Sequence, residues 1–252
     1  MITGIILTKN EENNIVDCIE SLHFCDQIFV IDDNSTDNTV SLAKLKGAKI
    51  VKKKLDNNFS HQRNYALSLV KNGWVLFLDA DERIPEELAN EIKVKTSTDS
   101  NFNGYFIKRK DIQFGKLLQY GETGNKYLLR LAKVNSGEWE GKVHEEWNIE
   151  GKTEKLSFFI IHEPHKTITE FLSEINLYTT LRAEELYKRQ VKSSFVSIIL
   201  YTKLKFLNIY FLKLGFLDGV PGLLLSLMMS YHSFLVRSKL YLLQKSNETK
   251  SV

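Results

Sequence analysis

In Trp74-Val75-Leu76-Phe77-Leu78-Asp79-Ala80-Asp81-Glu82, five apolar residues run without a break and stop at a cluster of acids. A continuous apolar run of this length, bounded by polar residues, reads as a strand buried on both faces, as in a parallel sheet covered by helices. Open α/β sheets bind ligands outside the carboxyl ends of their strands, which is where Asp79 and Asp81 fall. Two aspartates flanking one residue can hold a divalent cation together with a ribose or phosphate. The plainer alternative is a set of turn acids capping the helix that opens at Pro85. Glu86 and Glu87 already sit there, where carboxylates favour the positive end of the helix dipole.

The same strand-then-acid pattern occurs upstream. Gln27–Asp32 reads as a strand, and Asp32-Asp33-Asn34-Ser35-Thr36-Asp37 follows it. One of Ser35, Thr36 and Asp37 suits the cap of the next helix. Asp32 and Asp33 precede that cap, and a carboxylate there can accept a hydrogen bond from the imide N–H of a pyrimidine. Around these two clusters, strands and helices alternate: Thr3–Thr8, then a helix with Ile15, Ile19 and Leu22 on one face, a helix over Asp37–Lys46, a strand at Ala48–Val51 and a helix over His61–Lys71. This alternation predicts an α/β fold, Rossmann-like, with a mostly parallel sheet and helices on both faces. Both acid clusters then face one crevice.

After Thr96 the pattern changes to short strands and turns marked by Gly104, Gly115, Gly121, Gly124, Gly137 and Gly141. From Thr167 it is helical, with Ile168, Phe171, Leu172, Ile175 and Tyr178 on one stripe, followed by helical stretches over Phe195–Leu214 and Val220–Leu243. The expected division is a catalytic domain over 1–165 and a helical extension over 166–252. With 252 residues, 43% apolar and 26% charged, and only three prolines, the composition is that of a packed globular protein and excludes a disordered or fibrous chain. Cys18 and Cys25 match no metal-site or disulfide spacing and are expected to be buried packing residues. The amino terminus lacks a basic stretch followed by a long apolar one, so a cytoplasmic chain is expected.

The net charge of +3 is uneven: seven cations face two acids from Phe195 onward, a local +5, so the remainder carries −2. Cations set among leucines and aromatics suit an anionic membrane surface rather than nucleic acid. The alternative is an ordinary buried helix pair with solvated lysines. The uncharged window Gly219–Val236 reaches the lower limit of a spanning helix but contains Pro221, Gly222, Ser226, Ser230 and His232. Peripheral, interfacial attachment on the inner face of the cytoplasmic membrane is therefore expected.

Four segments in order, Thr8-Lys9-Asn10-Glu11-Glu12, Asp32-Asp33-Asn34-Ser35-Thr36-Asp37, Gln62-Arg63-Asn64 and Leu78-Asp79-Ala80-Asp81-Glu82-Arg83, resemble the family 2 glycosyltransferases, nucleotide-sugar-dependent enzymes with the GT-A fold. The resemblance implies that Thr8, Asn10, Glu11 and Asp33, with Asp32 beside them, line the base and ribose site, and that Arg63 lies near the nucleotide. It further implies that Asp79, with Ala80, contacts the ribose or metal, and that Asp81 ligates Mg²⁺ or Mn²⁺ on the diphosphate. Gly141-Lys142-Val143-His144-Glu145-Glu146, followed by His162, resembles the subgroup that includes lipopolysaccharide-core β-1,4-glucosyltransferases. That subgroup has Val-His-Glu where the acceptor-side acid is expected, and a tyrosine where this chain has Glu163. Tyr210–Gly219 resembles the carboxyl-terminal segment of the same subgroup. The absence of Gln-x-x-Arg-Trp, the signature of the family's processive synthases, implies transfer of a single sugar.

Moving a sugar from a nucleoside diphosphate requires stabilising the charge of the leaving diphosphate, which a metal on Asp81 supplies as a Lewis acid. Inverting displacement also requires a carboxylate within reach of the acceptor hydroxyl. Glu145 is the candidate base, because in an extended segment His144 and Glu146 point the other way. Glu146 is the alternative, and a structural salt bridge is the plain reading of either. His162, ending the apolar strand Phe158–Ile161, is a candidate metal ligand or phosphate contact, or else a hydrogen-bonded surface residue. Arg130 in Tyr127-Leu128-Leu129-Arg130-Leu131 faces the sugar or acceptor, or is an exposed strand charge. The expected activity is inverting, metal-dependent transfer of one hexose from a UDP-sugar to a saccharide or glycolipid acceptor in cell-envelope glycan synthesis. Two rivals stand beside it. A sugar nucleotidyltransferase would carry a glycine-rich phosphate loop where Thr8-Lys9-Asn10-Glu11 has no glycine. A non-catalytic nucleotide-sugar-binding or membrane scaffold domain would keep the pocket without turnover.

Overall fold

The structure is a computed structural model that describes residues 1–55, 58–97, 101–122, 126–141, 145–164 and 167–248. Two units are distinct: Met1–Lys110 with Asn125–His162, and Asp111–Gly124 with Glu163–Val252.

The first unit alternates β1 (Ile2–Thr8), α1 (Ile15–Ser21), β2 (Gln27–Asp32), α2 (Thr39–Leu45), β3 (Lys49–Lys52), α3 (Phe59–Ser68), β4 (Trp74–Asp79), β5 (Glu82–Arg83) and α4 (Glu86–Ser97). It then adds β6 (Phe102–Gln113, whose last residues belong to the second unit), β8 (Lys126–Lys133), β9 (Gly137–Glu140), β10 (Glu146–Ile149) and β11 (Lys152–His162); the short β7 (Lys116–Leu117) lies in the second unit. The sheet runs β3-β2-β1-β4-β8-β6-β11-β5, and β9 and β10 form a separate two-stranded ribbon. The α/β architecture is the expected one. Its parallel pairs are β3-β2, β2-β1 and β1-β4, and the glycine-punctuated region adds β8 antiparallel to β4 and β6 antiparallel to β8.

Strand β4 shows why the sheet is covered on both sides. Trp74, Leu76 and Leu78 pack with Ile15, Cys18 and Ile19 of α1, with Leu22 at its carboxyl cap, and with Leu88 and Ile92 of α4. The alternate residues Val75 and Phe77 pack with Ala66 of α3, with Val70, and with Trp139 and Trp147 of the ribbon. Phe77 is fully buried and meets both indoles edge-on, at 5.2 Å between centroids. The turn into β4 requires glycine: Gly73 has φ +91°, and a methyl group there would lie 2.4 Å from the Met1 carbonyl oxygen.

In the second unit, α5 (Ile168–Lys188) opens with a capping box between Thr167 and Glu170, and α6 (Phe195–Leu207) with one between Ser194 and Ser197. The helix expected to continue to Leu214 changes instead to a π-helical turn over Asn208–Leu212, and Leu214 takes a left-handed conformation at φ 57°. A 3₁₀ turn (Gly215–Asp218) leads into α7 (Val220–Glu248). Asp218 is buried and accepts from the backbone N–H groups of Gln119 and Tyr120, which ties the 111–124 excursion to this unit. Leu118, Phe171, Ile175 and Leu225 form its core. The uncharged window 219–236 is not the exposed one: Leu225, Ser226, Ser230 and Val236 are buried, because α7 packs between α5 and α6. Among the described residues, the stretch long and apolar enough to cross a membrane, by length and composition only, is Phe195–Leu212.

Both cysteines belong to the first unit's core. Burial pushes the Cys18 thiol far up, and Cys18 donates to the Asp79 carbonyl oxygen at 3.5 Å. Burial also pushes Cys25 up to about 12, with Asp26 adding to the effect. A thiol raised in this way supports the fold fully below its unfolded value of about 8.5 and loses that contribution as pH rises above it. Iodoacetamide at pH 8 is expected to leave both thiols unmodified by mass spectrometry until denaturant is added. Rapid alkylation of the native protein would contradict this packing.

Candidate active site

Side-chain alternation carries Asp79 onto the same face as Val75 and Phe77, the face covered by α3. Arg63 lies three residues before Ala66 and seven before Val70, on the stripe of α3 that faces the sheet. It is therefore buried, with its guanidinium 4.6 Å from the Trp139 ring, and its Nη2 donates to Asp79 Oδ1 at 3.0 Å. A second arginine arrives by a different route. Tyr105 pairs with Leu131 and Phe106 with Leu129, so Arg130 is the extra residue of a β-bulge in β8. The last pairing of β4 with β8 is Leu76 with Leu131, which puts the bulge beside the carboxyl end of β4. Arg130 Nη2 donates to Asp79 Oδ2 at 2.7 Å and to Glu82 Oε1 at 3.2 Å, and Glu82 Oε2 accepts from the Asp79 N–H.

The other arm of Arg63 reaches Glu145. Arg63 Nε donates to Glu145 Oε1 at 2.9 Å, so one guanidinium bridges the strand-end aspartate and the candidate base. Burial opposes charge on Asp79, but Arg130 and Arg63 outweigh it and hold the carboxyl well below the usual carboxylate range. Fully buried Glu82 is pushed the other way: burial raises it, and Arg130 offsets only part of that. A cavity of about 580 Å³ opens here, lined among others by Arg63, Asp79, Arg130, Trp139, Glu145 and Glu146. Lys142, Val143, His144 and His165 lie outside the described residues.

Asp81 and His162 also meet. The end of β11 pairs antiparallel with β5, His162 opposite Glu82, so that His162 Nε2 comes within 3.2 Å of Asp81 Oδ2. The strand that His162 ends is Lys152–His162, longer than the apolar core Phe158–Ile161 suggested. Among the described residues, no three His, Cys, Asp or Glu side chains cluster as a metal cage. Ala80 is buried in the core, which leaves its backbone as the part able to meet a ligand.

The first acid loop is assembled on the parallel pair β1-β2, with Thr8 opposite Asp32. Asp32 is fully buried, and both its oxygens accept from the Ser35 N–H at 3.2 Å, which shapes the turn. Asp33 pairs with Lys9 at 2.9 Å and accepts from the Leu55 N–H. Its partial burial opposes ionisation, yet those bonds lower its carboxyl below the ordinary value. Asn10, at φ 55°, accepts from the Thr36 N–H at 2.8 Å. The Glu11 N–H donates to Thr39 Oγ1, and the Glu11 carboxylate holds Asn14 Nδ2. None of the three expected residues is the helix cap: Asn38 holds that position without a side-chain cap hydrogen bond, and Asp37 just before it accepts from the N–H groups of Thr39 and Glu12. The Thr8 hydroxyl is buried without a hydrogen-bond partner among the described residues.

The chain matches the glycosyl transferase family 2 pattern over residues 3–137, more than half its length. It belongs to glycosyl transferase family 2. An uncharacterized glycosyltransferase of Rickettsia typhi is 29% identical over 252 residues, spanning 95% of this chain and 86% of the relative. The lipopolysaccharide core biosynthesis glycosyltransferase LpsC of Rhizobium meliloti is 24% identical over 247 residues, spanning 95% and 92%. Among solved structures, residues 1–349 of S. aureus TarS superpose with a TM-score of 0.49 at 16% identity, covering 97% of this chain and 91% of that one. Glucosyl-3-phosphoglycerate synthase of Mycobacterium tuberculosis, crystallised with Mn²⁺, UDP and glucosyl-3-phosphoglycerate, gives 0.37 at 21% identity over 44% of each chain.

Two residues of this glycosyltransferase's site were not evident beforehand as a pair, Arg130 and Glu82. The available signal was a lone cation in the otherwise apolar run Leu128-Leu129-Arg130-Leu131. Replacing Arg130 by Gln leaves buried Glu82 with Arg109 3.7 Å away in place of its hydrogen-bonded cation, and Asp79 with the Arg63 guanidinium alone of the two. Breaking a buried pair in this way costs about 3 kcal/mol. Urea denaturation of Arg130→Gln is expected to show a loss of that size at unchanged m-value, and a loss below about 1 kcal/mol would contradict the clamp.

Proposed function

We propose that this glycosyltransferase moves one hexose from a UDP-sugar to a saccharide acceptor by direct displacement with inversion, Glu145 acting as the base. The observation that supports the reading is that Glu145 lines one cavity with Asp79 at the carboxyl edge of the sheet; its 2.9 Å pairing with Arg63 is also what a structural salt bridge shows, and turnover by Glu145→Gln separates the two. Glu145 takes the proton of the acceptor hydroxyl as that oxygen bonds to the sugar's anomeric carbon and the bond to the diphosphate breaks. Thr8, Asn10, Glu11 and Asp33, with the turn that Asp32 builds, position the base and ribose, and Asp79 meets the ribose from its clamp.

Asp81 and His162 are the residues that would hold Mg²⁺ or Mn²⁺. A pair of protein ligands fits a cation that keeps waters and takes its remaining oxygens from substrate phosphates. Bound there, the metal supplies Lewis-acid stabilisation of the leaving diphosphate.

The name of LpsC and its near full-length alignment support an acceptor in envelope glycan, lipopolysaccharide core or similar. A lipid-linked acceptor fits the second unit. Phe195, Val196, Leu200, Leu204, Phe211 and Leu212 are exposed along one helical stretch with Lys203 and Lys213 among them, the pattern of an interfacial helix on the inner face of the cytoplasmic membrane.

Calorimetric titration of UDP with and without Mn²⁺ tests the donor site. Wild type is expected to bind mainly with metal, and Asp81→Ala is expected to lose the metal dependence. Glu145→Gln is expected to keep UDP affinity within about twofold while turnover of UDP-sugar falls by about 10²–10⁴. Unchanged turnover would move the base elsewhere, and UDP binding without any turnover in wild type would favour the scaffold reading. Phe211→Asp with Leu212→Asp is expected to abolish flotation with phosphatidylglycerol vesicles, and undiminished flotation would remove this stretch from the membrane contact.

A further inference from the structure

The second unit holds a cavity of about 940 Å³, lined by the end of α5, the loop 189–194, the first residue of α6 and the last turns of α7. Three lysines line it, Lys188, Lys192 and Lys245, and no acid is among its described lining residues. Glu185 of α5 is engaged by Arg182 and Arg189. A cation in the last turn of a helix answers the helix dipole, which accounts for Lys188 in α5 and Lys245 in α7. Lys192 stands in the loop and has no such role. Lys188 and Lys192 are exposed, and neither makes an ion pair or hydrogen bond among the described residues.

The wall that carries Lys192 is already built. Gln190 turns the chain at φ 58°, the Val191 carbonyl accepts from Gln244 Nε2 at 2.7 Å, and the Ser193 N–H donates to Gln244 Oε1 at 3.0 Å. One side chain of α7 thus pins the residues on both sides of Lys192, and the Ser193 hydroxyl adds a bond to the Arg237 carbonyl at 2.8 Å. Phe195 lines the cavity too, and beyond it Val196, Leu200, Leu204 and Leu207 are exposed at three- and four-residue spacing, on one face of α6. A fixed cationic hollow that opens onto an exposed apolar row matches the two parts of an anionic phospholipid, a phosphate headgroup and its acyl chains.

We propose that this cavity receives the headgroup phosphate of an anionic membrane lipid, held by Lys188 and Lys192, with Lys245 adding charge to the same lining and the acyl chains lying against the apolar row of α6. Ammonium groups bind phosphate oxygens through charge-assisted hydrogen bonds. The proposal rests on the interfacial reading of α6 and goes beyond it: an interfacial helix needs only apolar contact and diffuse charge, whereas a headgroup site needs these particular lysines.

The test titrates dihexanoyl phosphatidylglycerol below its micelle concentration, dihexanoyl phosphatidylcholine and inorganic phosphate into the full chain by NMR at constant ionic strength. The anionic lipid is expected to bind about tenfold more tightly than either of the others. Lys188→Gln with Lys192→Gln is expected to reduce its affinity by about tenfold. Lys44→Gln with Lys71→Gln, the same loss of charge at exposed positions of the first unit, is expected to leave it within about twofold. Equal binding of the two lipids, or equal losses in the two double variants, overturns the proposal. Inorganic phosphate bound as tightly as the lipid overturns it as well and assigns the cavity to a free anion. Flotation of wild type with phosphatidylglycerol vesicles keeps the two readings apart: flotation without this lipid preference refutes the headgroup site alone, and the preference without flotation refutes the interfacial helix and leaves the headgroup site standing.

Discussion

The Asp79 carboxylate between Arg63 and Arg130 is the interaction on which the rest of the site depends. Its side chain is 34% exposed, while the two arginines are at most 6% exposed, so a partly wet anion anchors two nearly dry cations. Without Asp79 those guanidiniums would be buried charges lacking much of their compensation, which proteins rarely tolerate. The clamp draws together a helix, a bulged strand and the end of a central strand, and through the second arm of Arg63 it also fixes Glu145.

The two acid clusters divide their labour. In the first, Asp32 is buried and folds its own turn, while Asp33 and Asn10 hold neighbouring segments from the loop's outer side. In the second, Glu82 and Asp79 are locked into the arginine network, and Asp81 is turned toward His162. The second cluster thus commits two carboxylates to the arginine network and leaves Asp81 beside His162, while in the first both Asp32 and Asp33 accept from backbone N–H groups of the fold.

The α/β core was readable because β4 is buried on both faces and its composition announces this without help from any neighbour. His162 was legible as a strand-end residue, with a metal, phosphate or surface role left open, and the pairing of β11 with β5 is what brings it to Asp81. Arg130 was a candidate in the sequence, facing the sugar or exposed on a strand; that it is buried against Asp79 and Glu82 was not readable, since its orientation comes from a register shift between β6 and β8, a tertiary property with no local signature. The tail shows the same limit. Which of the two apolar stretches is exposed was not stated by composition: the more charged one in α6 is largely uncovered, while the uncharged window in α7 buries Leu225, Ser226, Ser230 and Val236. The helix cap is Asn38 rather than Ser35, Thr36 or Asp37, and Asp37 instead ties the helix start to the first loop through the N–H groups of Thr39 and Glu12.

In the proposed mechanism Arg63 couples Glu145 to Asp79, so that the proposed base and the sheet edge act as one unit. A double-mutant cycle of Arg63→Gln and Glu145→Gln, read as UDP release from a UDP-sugar by folded variants, tests it most directly. Coupled residues predict strong non-additivity, with the double variant no slower than the worse single variant within about threefold. Losses that multiply, each substitution acting at full strength in the presence of the other, would show that the bridge in the structure is not part of the chemistry.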